Sequence, residues 1–561
     1  MSAMTGDGRG AASAAELAFV GGKVVCPDRN TEALLVRGDT IAAVGTDAEI
    51  RQAMAPQARV IDLRGRTMVP GFIDGHAHMD REGLKAVLPS LAGAQSIDDI
   101  LDIIAGLAVR TPRGEWIVTM PVGEPPSYED VPGRLKEQRF PNRWDLDRVA
   151  PHHPVYIRSI WGYWRASLPL VSIANSEALR RAGIDARTMP PAPSVEIGRD
   201  PATGEPNGIF SETNKMPVVE HTLMRCAPNF TQTQRTAALI DSMRIYNSVG
   251  TTGVFEGHGV AGDVVRAYQQ ARDSGRQTVR ATLSFSPVWR SDESEDCIAL
   301  LRSWGQWLAG RGLGDDWLRM QGMFCEADDS CERPLRSQAF PQTGWAGFHY
   351  EASVPRDLML PLLAEAARNR IQVVGIWPDT LQTFSEVNKL ASIEGQRWVV
   401  GHLSHLTPDE VKRAADLGVV VTTHTSAYLY KGARLGTERV RDLVPLRSLL
   451  DAGVPVSFGS DNVPPSLFHS IWHAVSRTEK GGAKLAPEQA ISRVEALRCA
   501  SLYGAHLSFD EARRGSLEAG KLADLAVLSD DVLTCAEESI PAITADMTVV
   551  GGRVVHERAA P

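Results

Sequence analysis

Apolar strand–helix units repeated through the middle of the chain, and matching period-two blocks at its two ends, predict an α/β protein. The expected architecture is a (β/α)8 TIM barrel with a small β-sandwich domain built from both chain termini. At 561 residues the chain exceeds what one hydrophobic core usually organises, so a large domain with appendages is expected. Hydrophobic residues make up 43% and charged residues 23%, the balance of an ordinary globular chain without long disorder.

Residues 16 to 64 hold short alternating apolar runs broken by Gly, Asp and Asn: Leu17-Ala-Phe-Val, Gly22-Lys-Val-Val, Ala33-Leu-Leu-Val, Thr40-Ile-Ala-Ala-Val and Ala58-Arg-Val-Ile. Such runs read as strands of a small antiparallel sheet. The last fifty residues have the same character, with Leu525-Ala-Val-Leu and Met547-Thr-Val-Val-Gly-Gly-Arg-Val-Val. The two ends are therefore expected to form one sandwich, residues 1–68 and 510–561, with residues 69–509 inserted into it as the catalytic barrel.

In that middle, apolar strands are followed by amphipathic stretches. Thr251-Thr-Gly-Val-Phe precedes a helix near 262–274, and Arg280-Ala-Thr-Leu-Ser-Phe one near 293–309. Ile371-Gln-Val-Val, Trp398-Val-Val-Gly-His, Val419-Val-Val-Thr-Thr and Val454-Pro-Val-Ser-Phe continue the series. Fully apolar strands alternating with helices mean a parallel sheet covered by helices. No GxGxxG turn opens the first unit to suggest a nucleotide fold, and the length favours a closed barrel. Between about 110 and 229 a stretch rich in Pro, Arg and aromatics breaks the rhythm. It reads as an insertion over the barrel mouth, equally well a substrate lid or a structural lobe.

Composition bears on partners and compartment. The net charge of −9 offers no basic footprint for nucleic acid. Seven cysteines at irregular spacings, none in a CxxC pair, read as reduced thiols in a reducing compartment. The N-terminus lacks the pattern of a signal peptide, and no window approaches the roughly 20 apolar residues that cross a bilayer. A cytoplasmic enzyme acting on a small molecule, without membrane or nucleic-acid partners, is the expectation. A homodimer would be the commonest assembly.

The sharpest chemical signal is His76 and His78, at the end of the apolar run Val69-Pro-Gly-Phe-Ile. Residues i and i+2 of a strand point to the same side, so both imidazoles can face one ion at the C-terminal end of a first barrel strand. Asp461 ends the run Val456-Ser-Phe-Gly-Ser. A carboxylate there can ligate a metal and take a proton from an attacking water; helix N-capping is its competing role. His402, His424 and His258 end further apolar runs, and with the His76–His78 segment these four strand ends make a histidine-lined mouth. His405, one turn past His402, more naturally caps or packs. Cys325 and Glu326 could reach a metal from the fourth-strand region or belong to the charged loop that follows. Trp161, Tyr163 and Trp164 of the insertion, with Trp377 after the fifth strand, are candidates for an aromatic substrate lining; packing within the lobe explains the first three equally well. No GxSxG follows a strand, and no P-loop is present.

Taken together, Val69-Pro-Gly-Phe-Ile-Asp-Gly-His-Ala-His, Asn175-Ser-Glu-Ala-Leu, Gly204-Glu-Pro-Asn-Gly-Ile-Phe-Ser-Glu after Arg199-Asp200, Gly459-Ser-Asp, and Gly515-Ser-Leu-Glu-Ala-Gly-Lys-Leu-Ala-Asp-Leu-Ala-Val-Leu resemble the amidohydrolase superfamily. The resemblance is to its family-3 branch, typified by N-substituted formamide deformylases, and spans nearly the whole chain. It implies a divalent-metal hydrolase, usually zinc, cleaving C–N bonds. It also implies that His76 and His78 are first-strand ligands, His402 the sixth-strand ligand and Asp461 the eighth-strand acid. The chain departs from the branch in three places. The fifth strand, Val373-Val-Gly-Ile-Trp-Pro-Asp, has no His. The fourth has no carboxylatable Lys, Arg319 or Gln321 standing nearby. The insertion's Asp-Gly-His reads Trp161-Gly-Tyr163.

One ion rather than two is therefore expected, held by His76, His78, His402 and Asp461, with Glu326, His424 and His258 in reserve. Asp461 and His402 are the expected catalytic groups. The rivals are metal-assisted C–C cleavage, decarboxylation or hydration on the same fold, and a metal-free binding or scaffold protein.

Overall fold

A computed structural model describes residues 16–559, apart from 28, 126–127, 129, 160–167, 214–217, 290–292, 338–351, 378 and 426–439. Eight parallel strands form its centre: β1 (Phe72–Asp74), β2 (Thr251–Val260), β3 (Arg280–Phe285), β4 (Leu318–Ala327), β5 (Val373–Gly375), β6 (Val399–Val400), β7 (Val420–Thr423) and β8 (Val456–Phe458). Each pairs with the next in chain order. The Gly75 N–H donates to the Phe458 carbonyl (2.8 Å) and brings β8 back against β1. The sheet closes as a barrel.

Helices follow the strands: α1 (Gln232–Ser248), α2 (Gly262–Asp273), α3 (Ser294–Leu308), α4 (Arg356–Arg368), α5 (Thr380–Leu390), α6 (Pro408–Leu417), α7 (Leu446–Asp451) and α8 (Leu467–Ser476). Local chemistry sets their ends. α6 starts where the Thr407 hydroxyl accepts the Glu410 N–H and the Glu410 carboxylate returns the bond, with Pro408 in the first turn; it stops at Gly418, φ +62°. That combination of capping box, early Pro and left-handed Gly is readable from sequence.

Strand alternation divides the apolar residues between two cores. Phe255, Phe324, Val374, Val399 and Val420 fill the barrel interior together with Leu507. Val373, Val400, Val421 and Phe458 pack outward under the helices. At the N-terminal end of β4, Arg319 donates to Asp510 (2.7 Å), and Gln321 donates to Gln372 (2.8 Å) and the Leu507 carbonyl (3.1 Å). Both residues close the barrel floor, the opposite end from the His76–His78 segment.

The chain ends build two sheets. One has the order Thr40–Gly45, Ala33–Arg37, Glu16–Val20, Arg59–Asp62. The other runs Arg553–Glu557, Ala545–Val550, Leu525–Leu528, Thr67–Pro70, Lys23–Val25, Asn30–Thr31, and so mixes strands from both termini. Phe19, Leu34, Val36, Met68, Leu525, Val527 and Val549 make their shared core. Thr67–Pro70 runs into β1 through Gly71, where a Cβ would lie 2.3 Å from the Thr252 side chain. The strand that ends in His76 and His78 is therefore anchored in the sandwich.

A third sheet, in the order Val195–Arg199, Pro206–Glu212, Leu170–Ala174, Val155–Ile157, Ile117–Thr119, lies in the segment inserted after β1. Helix Ile97–Arg110 contributes Ile97, Ile100, Leu101 and Ile104 to the same core. Asn175 works here as a stitch: its side chain caps the next helix at the Ala178 N–H, accepts the Val155 N–H, and donates to the carbonyls of Ala150 and His153. Among the described residues no helix is long and apolar enough to cross a membrane.

Barrel and sandwich are joined by a buried ion pair. Arg280 at the start of β3 donates to both oxygens of Asp524 (2.7 and 3.1 Å), which also accepts the Gly551 N–H at 2.9 Å. Removing one partner leaves a buried charge uncompensated. Asp524→Ala is expected to cost about 3–5 kcal/mol, read as a lowered urea midpoint; an unchanged midpoint would show that the pair does not brace the joint.

Candidate metal centre

The C-terminal strand ends converge on five imidazoles and a carboxylate. The His78 Nε2 stands 3.0 Å from an Asp461 oxygen, and the Nε2 atoms of His76 and His402 are 2.9 Å apart. The His76 ring centre lies 4.4 Å from that of His402, 4.8 Å from His424, 5.2 Å from His78 and 5.8 Å from His258. Donor atoms of His76, His402, His424 and Asp461 all fall within 4.8 Å of one another, and so do those of His76, His78 and His258.

Local backbone explains how they meet. Asp74 Oδ1 accepts the N–H of His76 (3.1 Å) and of Ser460 (3.0 Å), and the His76 carbonyl accepts the Asp461 N–H (3.1 Å). The first-strand pair of imidazoles and the eighth-strand acid are thus held by one set of hydrogen bonds. Gly459 is required by close approach, because a Cβ there would sit 2.7 Å from the His76 Cβ and 2.9 Å from the His424 Nδ1. His402 and Asp461 take left-handed φ values of +53° and +51°, a conformation uncommon outside glycine and concentrated at functional sites. His258 arrives differently. Phe255 faces the barrel interior, so simple alternation would turn His258 outward. The register of β2 against β3 shifts between Glu256 and Val260, and Gly259 has φ +73°. The bulge re-aims the imidazole, which lies 4.8 Å from the Phe324 ring and 5.4 Å from that of His78.

Burial controls the charge of the site. His76, His78 and His258 are nearly inaccessible, and desolvation holds their imidazoles well below the ordinary histidine range; neighbouring histidines add to this at His76, and Arg81 at His78. They are neutral over a wide pH range. Burial also pushes the Asp74 carboxyl up to about 7. The Nδ1 of His76 is buried and has no hydrogen-bond partner among the described residues. Neutral imidazoles with buried lone pairs, facing a carboxylate, fit a divalent first-row cation.

His76, His78, His402 and Asp461 are all part of this cluster, and so are His424 and His258. Glu326, at the end of β4, shares the inward side with Phe324 by alternation but joins none of the donor groups found among the described residues. Cys325 faces outward, its thiol 3.6 Å from the Met359 sulfur. Trp377 lies away from the imidazoles, between β5 and α5: its indole N–H donates to Thr383 (3.2 Å) and its ring meets Phe384 at 5.8 Å. His405 contacts the Ser404 hydroxyl (3.2 Å) and bridges to Leu443. Trp161, Tyr163 and Trp164 lie outside the described residues. Sequence reasoning missed Asp74 as the tie between strands. Its position between an apolar strand and the first imidazole was the available signal.

Residues 59–556 match the sequence model of the Amidohydrolase family, branch 3. The chain belongs to the amidohydrolase family. The amidohydrolase chain is 28% identical to the N-substituted formamide deformylase of Arthrobacter pascens, over 94% of this chain and 95% of that one. In structure it is similar to an uncharacterized metal-dependent hydrolase from Pyrococcus horikoshii, with a TM-score of 0.67, 18% identity, and coverage of 93% of this chain and 99% of that one. It is also similar to the atrazine chlorohydrolase TrzN of Arthrobacter aurescens, solved with zinc, at TM-score 0.50, 16% identity and coverage of 97% and 96%. This amidohydrolase is a metal-dependent hydrolase acting on C–N bonds.

Two measurements follow from the geometry. Gly459→Ala should push His76 and His424 apart, abolishing stoichiometric metal binding while far-UV circular dichroism stays native; full metal retention would contradict the close-packing argument. The second concerns acid. In the unfolded chain histidines titrate near 6.5, whereas His76, His78 and His258 in the fold titrate well below that value. The unfolded state therefore binds more protons as pH falls beneath about 6.5. The three imidazoles' contribution to the stability of the metal-free chain is complete above that pH and declines below it, at up to about 1.4 kcal/mol per pH unit per imidazole. It outweighs the single opposing Asp74 carboxyl, which favours the fold as pH falls below about 7. Urea midpoints at about pH 7.5 and pH 5.5 check this, equal values counting against buried neutral imidazoles.

Proposed function

We propose that the chain is a zinc enzyme that uses one ion to hydrolyse the amide or formamide C–N bond of a small apolar or aromatic substrate. The observation that carries this reading is the convergence of His76, His78, His402 and Asp461 in two close pairs, at 2.9 and 3.0 Å. Those four residues are the proposed ligands, with His424 and His258 bordering them. The relative named a formamide deformylase supports the substrate class, and the zinc complexed with TrzN supports the metal. Support for a single ion comes from strands four and five, where Phe324 and Ile376 line the barrel interior. Those two side chains supply no bridging oxygen, and Glu326, on the inward side at the end of β4, joins none of the donor groups among the described residues.

A divalent ion at such a site polarises a carbonyl and brings the pKa of water towards about 7. The chain's own groups then carry the proton. The Asp461 carboxylate accepts it from the attacking water and delivers it to the departing amine, the double duty of a positioned acid–base group. The left-handed backbone at Asp461 and the N–H bond it gives to the His76 carbonyl hold the carboxylate in the mouth. The neutral imidazoles of His258 and His424 line the same space and can accept or return a proton there. Burial of the cluster keeps bulk water from competing.

We further assign residues 1–68 and 510–561 to the sandwich and 69–509 to the catalytic barrel. Residues 110–229 are assigned to a lobe that shapes substrate entry, with Trp161, Tyr163 and Trp164 as its aromatic lining.

Asp461→Asn should retain most of the metal yet lose about 10²–10⁴-fold in turnover, while His76→Ala should lose metal and activity together with the fold intact. Elemental analysis and an assay for released amine read both. Normal turnover by Asp461→Asn would remove the proton-transfer role, and release of a carbon fragment without amine would replace hydrolysis by C–C cleavage.

A further inference from the structure

The segment carrying His78 passes at once into a short helix, Met79–Glu82, and what holds that turn comes from the neighbouring strand. Glu256 of β2 follows Phe255, which faces the barrel interior, so its side chain is directed outward towards α2. There the Glu256 Oε1 accepts the Tyr268 hydroxyl (2.6 Å) and the main-chain N–H of Asp80 (3.4 Å). A ring nitrogen of His78 and carboxylate oxygens of Asp80 and Glu256 fall within 4.8 Å of one another, and the Arg81 Nε is 3.8 Å from Asp80. From the other side the His78 carbonyl accepts the Asn462 amide, whose oxygen accepts the Tyr246 hydroxyl. Glu256, Tyr268 and Tyr246 are all buried. The turn after His78 is thus gripped on its N–H side from β2 and α2, and on its carbonyl side from β8.

Burying a carboxyl is expensive unless strong hydrogen bonds compensate it. Here one donor to Glu256 is the main-chain N–H of Asp80, two residues past His78, and the other, the Tyr268 hydroxyl, holds the carboxylate in place. Groups that orient a metal-binding histidine without touching the ion commonly influence affinity nearly as much as the ligands do. We propose that Glu256, braced by Tyr268, is a positioning residue of the metal site: it seats the turn that presents His78 and so sets the affinity for the ion. The inference rests on the metal-dependent reading above.

The experiment is zinc titration of the metal-free full chain against a competing chelator, with the melting temperature of the metal-free form measured alongside. Glu256→Leu removes both accepted hydrogen bonds and should weaken zinc binding by about 10- to 100-fold. Glu256→Gln retains an acceptor of the same shape and should recover much of that loss. Tyr268→Phe removes only the brace and should weaken binding by a smaller factor, which keeps the test open should the Leu variant fail to fold. Zinc affinities within about twofold of the wild type, in variants whose metal-free forms melt normally, would overturn the positioning role while leaving the metal-dependent reading intact. A wild-type chain that binds no zinc would overturn both.

Discussion

The structure depends on the seam between the first and eighth barrel strands. Closing a parallel sheet brings the first strand against the last, and here three hydrogen bonds do it: Gly75 N–H to the Phe458 carbonyl, Asp461 N–H to the His76 carbonyl, and Ser460 N–H to Asp74. The contacts that shut the barrel are therefore also those that place two imidazoles beside a carboxylate. Stability and chemistry share this seam. The sandwich reinforces it from outside, since Thr67–Pro70 pairs with Leu525–Leu528 and leads through Gly71 into β1.

The site departs from regular strand geometry where it needs to turn side chains. A bulge in β2 directs His258 inward, and left-handed residues at 402 and 461 end β6 and β8. Such conformations are unfavourable by themselves and persist only where their surroundings hold them. Dense packing around Gly459, and the grip on the turn after His78, are such surroundings. The site is closely packed and buried, which keeps its imidazoles neutral and close together. The departures at strands four and five fit the same picture. Apolar Phe324 and Ile376 occupy the interior there, and among the described residues the histidine donor groups at the mouth draw on strands one, two, six, seven and eight, without Glu326 of strand four.

The fold was largely legible because period-two and period-3.6 patterns are local. The helix after β2, expected near 262–274, runs Gly262–Asp273; that after β3, expected near 293–309, runs Ser294–Leu308. The candidate site was legible in part. His76 and His78 are two apart at a strand end, and Asp461 and His402 each end an apolar run, so their convergence needs only a closed barrel. His424 and His258 stood as weaker candidates because one histidine at a strand end says little, and the bulge that aims His258 has no sequence signature beyond a glycine. Trp377 reads as a pocket residue from its proximity to the fifth strand, yet one step of alternation places it under α5. Asp74, Glu256 and Tyr268 escaped notice because their roles consist of contacts between segments far apart in the chain.

By itself the sequence determined the barrel, the terminal sheets and which histidines and acid stand at the strand ends of the barrel mouth. Hydrophobic periodicity, capping residues and short spacings act within a few residues of one another. Only the tertiary structure decided which imidazoles face one another, how the first and eighth strands are tied, and what steadies the turn after His78. Those outcomes follow from barrel closure, a bulge and buried hydrogen bonds between distant segments, none of which is encoded in any single stretch of chain.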